Sequence, residues 1–175
     1  KVTSMSSMFN GVGVTELDVS NFDTSNVTDM SNMFSSISKL TQLDVSSFDT
    51  ESLLKMDSMF FNCSTNIVGL KNMDISKVTS LNGVFNASGL VNGDELVNWD
   101  TSNVTTTANM FNNCRSLVRL DISKWKKDNI TDIGSMFKDC RVITQIDGLS
   151  DWDTGNVTNM NSTFYYTDGF YPRNQ

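Results

Sequence analysis

Apolar positions fall in tight groups along this chain, and the group in "NVTDMSNMF" (residues 26–34), with Met30, Met33 and Phe34, recurs in near copies from one end to the other. The closing phenylalanines are Phe9, Phe34, Phe60, Phe85, Phe111, Phe137 and Phe164, at intervals of 25, 26, 25, 26, 26 and 27 residues. A period in the twenties lies within the range of leucine-rich repeats, in which each unit buries its apolar face against the next. The pattern therefore predicts an α/β repeat solenoid: a leucine-rich-repeat-like right-handed superhelix of 25–26 residues per turn, with short parallel strands on one face and short helices on the other.

Each period divides into three pieces. The first is an apolar alternation, "LDVS" at 17–20 and 43–46 and "LDIS" at 120–123, whose period of two predicts a short strand. The second, such as "NFDTSN" at 21–26 or "NWDTSN" at 98–103, is made of turn formers around one large apolar residue: Phe22, Phe48, Met73, Trp99, Trp125 or Trp152. The third, "VTDMSNMF", has threonine second in six of seven copies (Thr3, Thr28, Thr79, Thr105, Thr131 and Thr158), with Leu54 in its place in the remaining one. Threonine is a good N-cap, so this piece predicts a helix of one to two turns with the methionines and the phenylalanine on its inner face.

Aligning the copies separates core from face. One column reads Met5, Met30, Met56, Leu81, Thr107, Ile133, Met160, and another Met8, Met33, Met59, Val84, Met110, Met136, Thr163. A copper site would need the thioether at each position, whereas these columns exchange methionine for other apolar residues, as a packed interior does. The phenylalanine column does not vary. The outward strand positions vary most, and two rows follow from the repeat spacing: Glu16, Gln42, Ile67, Gly93, Arg119, Ile146, and Asp18, Asp44, Gly69, Glu95, Asp121, Gly148. Asp94 and Asp147 fall where this alignment expects leucine.

Charge and composition narrow the functional classes. The formal net charge of -7 and the absence of a basic stripe argue against a nucleic-acid partner. The apolar runs are only a few residues long, which argues against membrane insertion of this stretch. The first residues, "KVTSMSSMF", already match the motif, so the chain is expected to start inside a unit of a longer protein, with any signal or anchor outside it.

No catalytic residue is assigned and no enzyme activity is expected. Histidine is absent, and neither a phosphate loop nor a nucleophile elbow is present. No cofactor or metal is assigned. The tandem glycine-rich loops of calcium-binding β-rolls are missing, and Cys63, Cys114 and Cys140 lack the paired spacing of a zinc site. All three cysteines fall three residues after the anchoring phenylalanine, where Val12, Ile37, Ser88 and Thr167 stand in other copies. Adjacent turns would permit a Cys114–Cys140 disulfide, but the column reads as a small buried position holding three thiols. The "NVT" and "NIT" triplets at Asn26, Asn103, Asn129 and Asn156 are glycosylation acceptors in form, generated by the repeat itself.

The run "LDVSNFDTSNVTDMSNMF", followed by a small or cysteine position and then a strand such as "SLVRLDIS", resembles the BspA-type leucine-rich-repeat surface proteins of bacteria. The resemblance implies a cell-surface or secreted binding module that recognises a host or neighbouring-cell protein or glycan, by adhesion or a related contact. Partner-binding positions are then expected at Glu16, Asp18, Gln42, Asp44, Glu95, Arg119 and Asp121. A structural spacer or stalk within a larger surface protein is the alternative. The domain layout is residues 1–164 as solenoid and 165–175 as a C-terminal cap or the start of a further repeat, with Tyr165, Tyr166, Phe170 and Tyr171 as its aromatics. Oligomeric state stays open.

Overall fold

The computed structural model describes residues 1–169, so Phe170, Tyr171 and the rest of the expected cap lie outside the described residues. Among the described residues there is no α-helix. Regular structure consists of four three-residue strands, β1 (Gln42–Asp44), β2 (Asn66–Val68), β3 (Arg119–Asp121) and β4 (Gln145–Asp147), and two 3-10 helices, Leu70–Asn72 and Asp94–Asn98. The strands form two separate two-stranded parallel sheets, β1 with β2 and β3 with β4. The chain is therefore not an α/β solenoid, and the leucine-rich-repeat expectation falls with it.

The reason lies in the backbone of the predicted helices. Ser7, Asn32, Ser58, Asn109, Ser135 and Ser162 all have φ between 55° and 59°, and Gly83 has 65°, a left-handed conformation in the middle of each "MSNMF" segment. A right-handed helix cannot pass through such a residue. A second left-handed position follows four residues later at Ser36, Asn62, Ala87, Asn113, Asp139 and Tyr166. The N–H groups divide accordingly. Met33 and Ser35 donate back to Met30 and Asn32 three residues earlier, whereas Met30, Asn32, Phe34 and Ser36 donate to Lys55, Asp57, Met59 and Phe61 in the next copy. No run of i to i−4 bonds remains.

The threonines accordingly cap nothing. Thr28, Thr105, Thr131 and Thr158 donate their hydroxyls to the carbonyls of Thr3, Thr79, Thr105 and Thr131, one copy earlier, at 3.1–3.3 Å. Three sequon asparagines are used in the same way: the Asn103, Asn129 and Asn156 amides donate to the carbonyls of Ser76, Ser102 and Asp128.

The core follows the columns. Phe34, Phe60, Phe85, Phe111 and Phe137 are fully buried, and their rings stack with Phe9 and Phe164 at the ends, at centroid separations of 5.4–5.9 Å and interplanar angles of 4–14°. Met30, Met33, Met56, Met59, Met110 and Met136 are buried beside them, while Met8 and Met160 are exposed. The corner residues also turn inward. Trp99 and Trp125 donate their indole N–H to the carbonyls of Leu70 and Leu96.

Cys63, Cys114 and Cys140 are free, buried thiols. The Cys114 and Cys140 sulfurs each donate to a carbonyl one copy back, Phe85 and Phe111, at 2.9 Å. Burial pushes the Cys63 thiol up to about 11 and that of Cys114 to about 12, and raises that of Cys140 further. The apolar surroundings disfavour the thiolate, so these are inert core side chains.

Candidate functional site

Strand register corrects the two outward rows. Gln42 pairs with Asn66, Leu43 with Ile67 and Asp44 with Val68. Arg119 pairs with Gln145, Leu120 with Ile146 and Asp121 with Asp147, while Asn92 bridges to Arg119. Ile67 and Ile146 are thus inward residues, and Asp147 is an outward one rather than an aspartate in a leucine slot. Asp94 opens a 3-10 helix instead of a strand.

A bulge causes the slip. After β2 and after β4 the chain carries one extra residue, Gly69 at φ 90° and Gly148 at φ 81°. A Cβ on either would lie within 2.6 Å of backbone atoms of Ser46 or Ser123, so only glycine fits. The "IVGL" and "IDGL" runs carried this signal in the sequence: a glycine between a strand and a leucine.

The expected contact residues divide into separate groups. Asp18, Asp44 and Asp121 each accept the N–H of the serine two residues on (Ser20, Ser46, Ser123) at 2.9 Å, and these serine hydrogen bonds, hydroxyl first and N–H second, hold the carboxylates below their usual range. Glu16 and Gln42 are exposed on the strand side. Arg119 lies between two carboxylates, with Nε 3.1 Å from Asp94 Oδ1 and Nη2 3.7 Å from Asp147 Oδ2. The N–H of the shorter pair is poorly aimed, which makes it a charge contact rather than a formed hydrogen bond.

Between the two sheets the strand pairing stops. Among the described residues no bridge joins β2 to the following segment, and the cleft left there has a volume of about 250 Å3. Thr65, Ile67, Leu70, Leu90 and Val91 line it, with Asn66, Asn92, Asp94 and Glu95.

Chain length explains the opening. Seven residues separate Phe60 from Ile67, against nine between Phe34 and Leu43, Phe111 and Leu120, and Phe137 and Ile146. Where the longer segments bury Leu40, Leu117 and Ile143, the short one buries Thr65. The smaller side chain does not fill the column. Its Oγ1 is solvent-free without a hydrogen-bond partner, an arrangement that costs roughly 1–3 kcal/mol when nothing satisfies it.

Of the expected contact residues only Glu95 lines this cleft. Thr65, Asn92 and Asp94 were missed as site residues, although a lone threonine in an otherwise aliphatic position was visible in "CSTNIVGL".

The chain matches the family described as "Mycoplasma protein of unknown function, DUF285" over residues 1–94 and again over 61–174. It belongs to that family. The two matches to DUF285 overlap across 61–94, the stretch that holds β2, every cleft-lining residue but Glu95, and the 3-10 helix start at Asp94. Comparison with the curated proteins and with the solved structures gives no match.

Proposed function

We propose that this member of DUF285 is a recognition module at the cell surface or outside the cell, binding a host or neighbouring-cell protein or glycan through its strand side, with the cleft after β2 as the focus. The observation that carries this reading is the buried, unpartnered Thr65 hydroxyl in a half-open cleft, because a native chain seldom leaves such a group unsatisfied without a use. Apolar walls with a few convergent polar groups are the usual make-up of a ligand site. The surface setting comes from the sequence resemblance of the repeated motif to bacterial surface proteins, without the leucine-rich-repeat fold that the resemblance implied.

The test is binding of the full chain to protein and glycan arrays, beside two variants. Val91→Trp places a large ring at the cleft, and the triple reversal Asp18→Lys, Asp44→Lys, Asp121→Lys alters the strand side away from it. Binding lost in Val91→Trp and kept in the triple variant is the expected result. Equal binding by all three chains overturns the reading. The second reading is a spacer, favoured by the engagement of Asp18, Asp44 and Asp121 with their own turns; it predicts no array ligand for any of the chains.

A further inference from the structure

We infer that the cleft after β2 takes the side chain of a lysine presented by a partner protein. This rests on the reading of the cleft as the binding focus and adds the chemistry of its occupant.

The lining is of two kinds. Ile67, Leu70, Leu90 and Val91 form an apolar lining suited to a tetramethylene stem. Two carboxylates of unequal state also line the cleft. Asp94 is already engaged, by Arg119 at Oδ1 and by the Asn92 amide at Oδ2, 3.1 Å each. Glu95 has no cationic partner among the described residues; it accepts only the Lys71 N–H, at 3.4 Å. A half-buried carboxylate beside an apolar wall favours a cation that brings methylene groups with it.

The form of the acceptors selects the cation. An ammonium offers three donors that can diverge to separate acceptors, whereas a guanidinium presents a planar fork best met by a free bidentate carboxylate. Here Glu95 Oε2 already takes the Lys71 N–H, so no free bidentate carboxylate lines the cleft, and the solvent-free Thr65 Oγ1 is closed to the incoming cation. No aromatic ring lines the cleft to stack on a sugar face. The net charge of -7 draws a basic partner toward this surface.

The experiment titrates the 15N-labelled full chain, at low salt, with Nα-acetyl-lysine methylamide, the matching norleucine and arginine derivatives, and glucose. The expected result is saturable shifts at Asn66, Ile67, Val91 and Glu95 for the lysine probe, with norleucine binding at least about tenfold more weakly and arginine more weakly than lysine. Glu95→Gln weakens the lysine probe about tenfold with the distant amide spectrum unchanged, so that a folding defect is not mistaken for a lost contact. Equal affinity for norleucine, an unchanged Glu95→Gln, shifts scattered over the acidic surface, or glucose alone binding overturns the inference. A silent lysine titration beside array binding that Val91→Trp abolishes removes the lysine and keeps the recognition reading; loss of both removes the two together.

Discussion

The rings of Phe111 and Phe137 lie face to face, 5.8 Å between centroids and 4° between planes, and Phe85 covers the other side of Phe111 at 5.7 Å. Phe111 is thus enclosed by rings supplied from sequence positions 26 residues away in either direction. Phe111→Ala opens a cavity that no flanking side chain is placed to fill, and a loss of about 3–5 kcal/mol is expected in equilibrium denaturant unfolding. A loss below about 1 kcal/mol would contradict the packing described.

Two glycines separate strain from contact. Gly69 and Gly11 both have positive φ, 90° and 72°, yet a Cβ on Gly69 would lie 2.5 Å from the Ser46 nitrogen while one on Gly11 meets nothing within 4 Å. Gly69→Ala is expected to cost about 3 kcal/mol, strain and clash together, and Gly11→Ala about 1 kcal/mol. Thermal melts of the two variants, side by side, give the comparison.

Thiol burial sets the alkaline limit of stability. The folded chain holds Cys114 near 12 against an ordinary value of 9.0, so above pH 9 the unfolded chain releases a proton that the folded chain keeps. Unfolding is then favoured: the contribution of the protonated thiol is fully present below about pH 9 and is lost as the pH rises toward 12. The melting temperature is expected to fall on that limb, and to fall less in Cys114→Ala. A thiol reagent at pH 8 should label none of Cys63, Cys114 and Cys140 until denaturant is added.

Thr105 distinguishes a cap from a cross-link. Its hydroxyl donates to the Thr79 carbonyl at 3.1 Å, so Thr105→Ser, which keeps the hydroxyl, should leave stability nearly unchanged, while Thr105→Val should lose about 0.5–1.5 kcal/mol. Hydrogen exchange at the neighbouring amides of 79 and 105 should rise only in the valine variant.

The sequence was legible where a residue type can do only one thing. Phenylalanine at fixed intervals reported the interior, because its column admits no other residue, and the methionine and cysteine columns, which exchange with aliphatic residues, threonine and serine, reported positions buried in most copies. Local conformation was harder to read. The apolar spacing of Met30, Met33 and Phe34 fits one face of a helix, but Asn32 between them adopts φ 56° and turns the same spacing into consecutive tight turns. The deciding signal was the serine, asparagine and glycine that alternate in that column, residues that tolerate a left-handed backbone better than most. Strand register failed for a similar reason. A fixed repeat offset placed Ile67 and Ile146 outside, whereas Gly69 and Gly148 each absorb one residue and return the isoleucines to the core. The candidate cleft depends on a segment two residues short, which a count from Phe60 to Ile67 contains but which acquires meaning only when the unpaired edge of β2 is in view.

The glycine bulges also give the two sides of the chain different freedoms. On the side of the phenylalanine column, inserting or removing one residue would put every later ring out of alignment. On the strand side, a single residue beyond β2 or β4 is taken up by one glycine, and the shorter run to Ile67 still delivers its side chain to the interior. Length can therefore change on the strand side while the interior keeps count, so what that side presents can be reshaped without rebuilding the protein behind it.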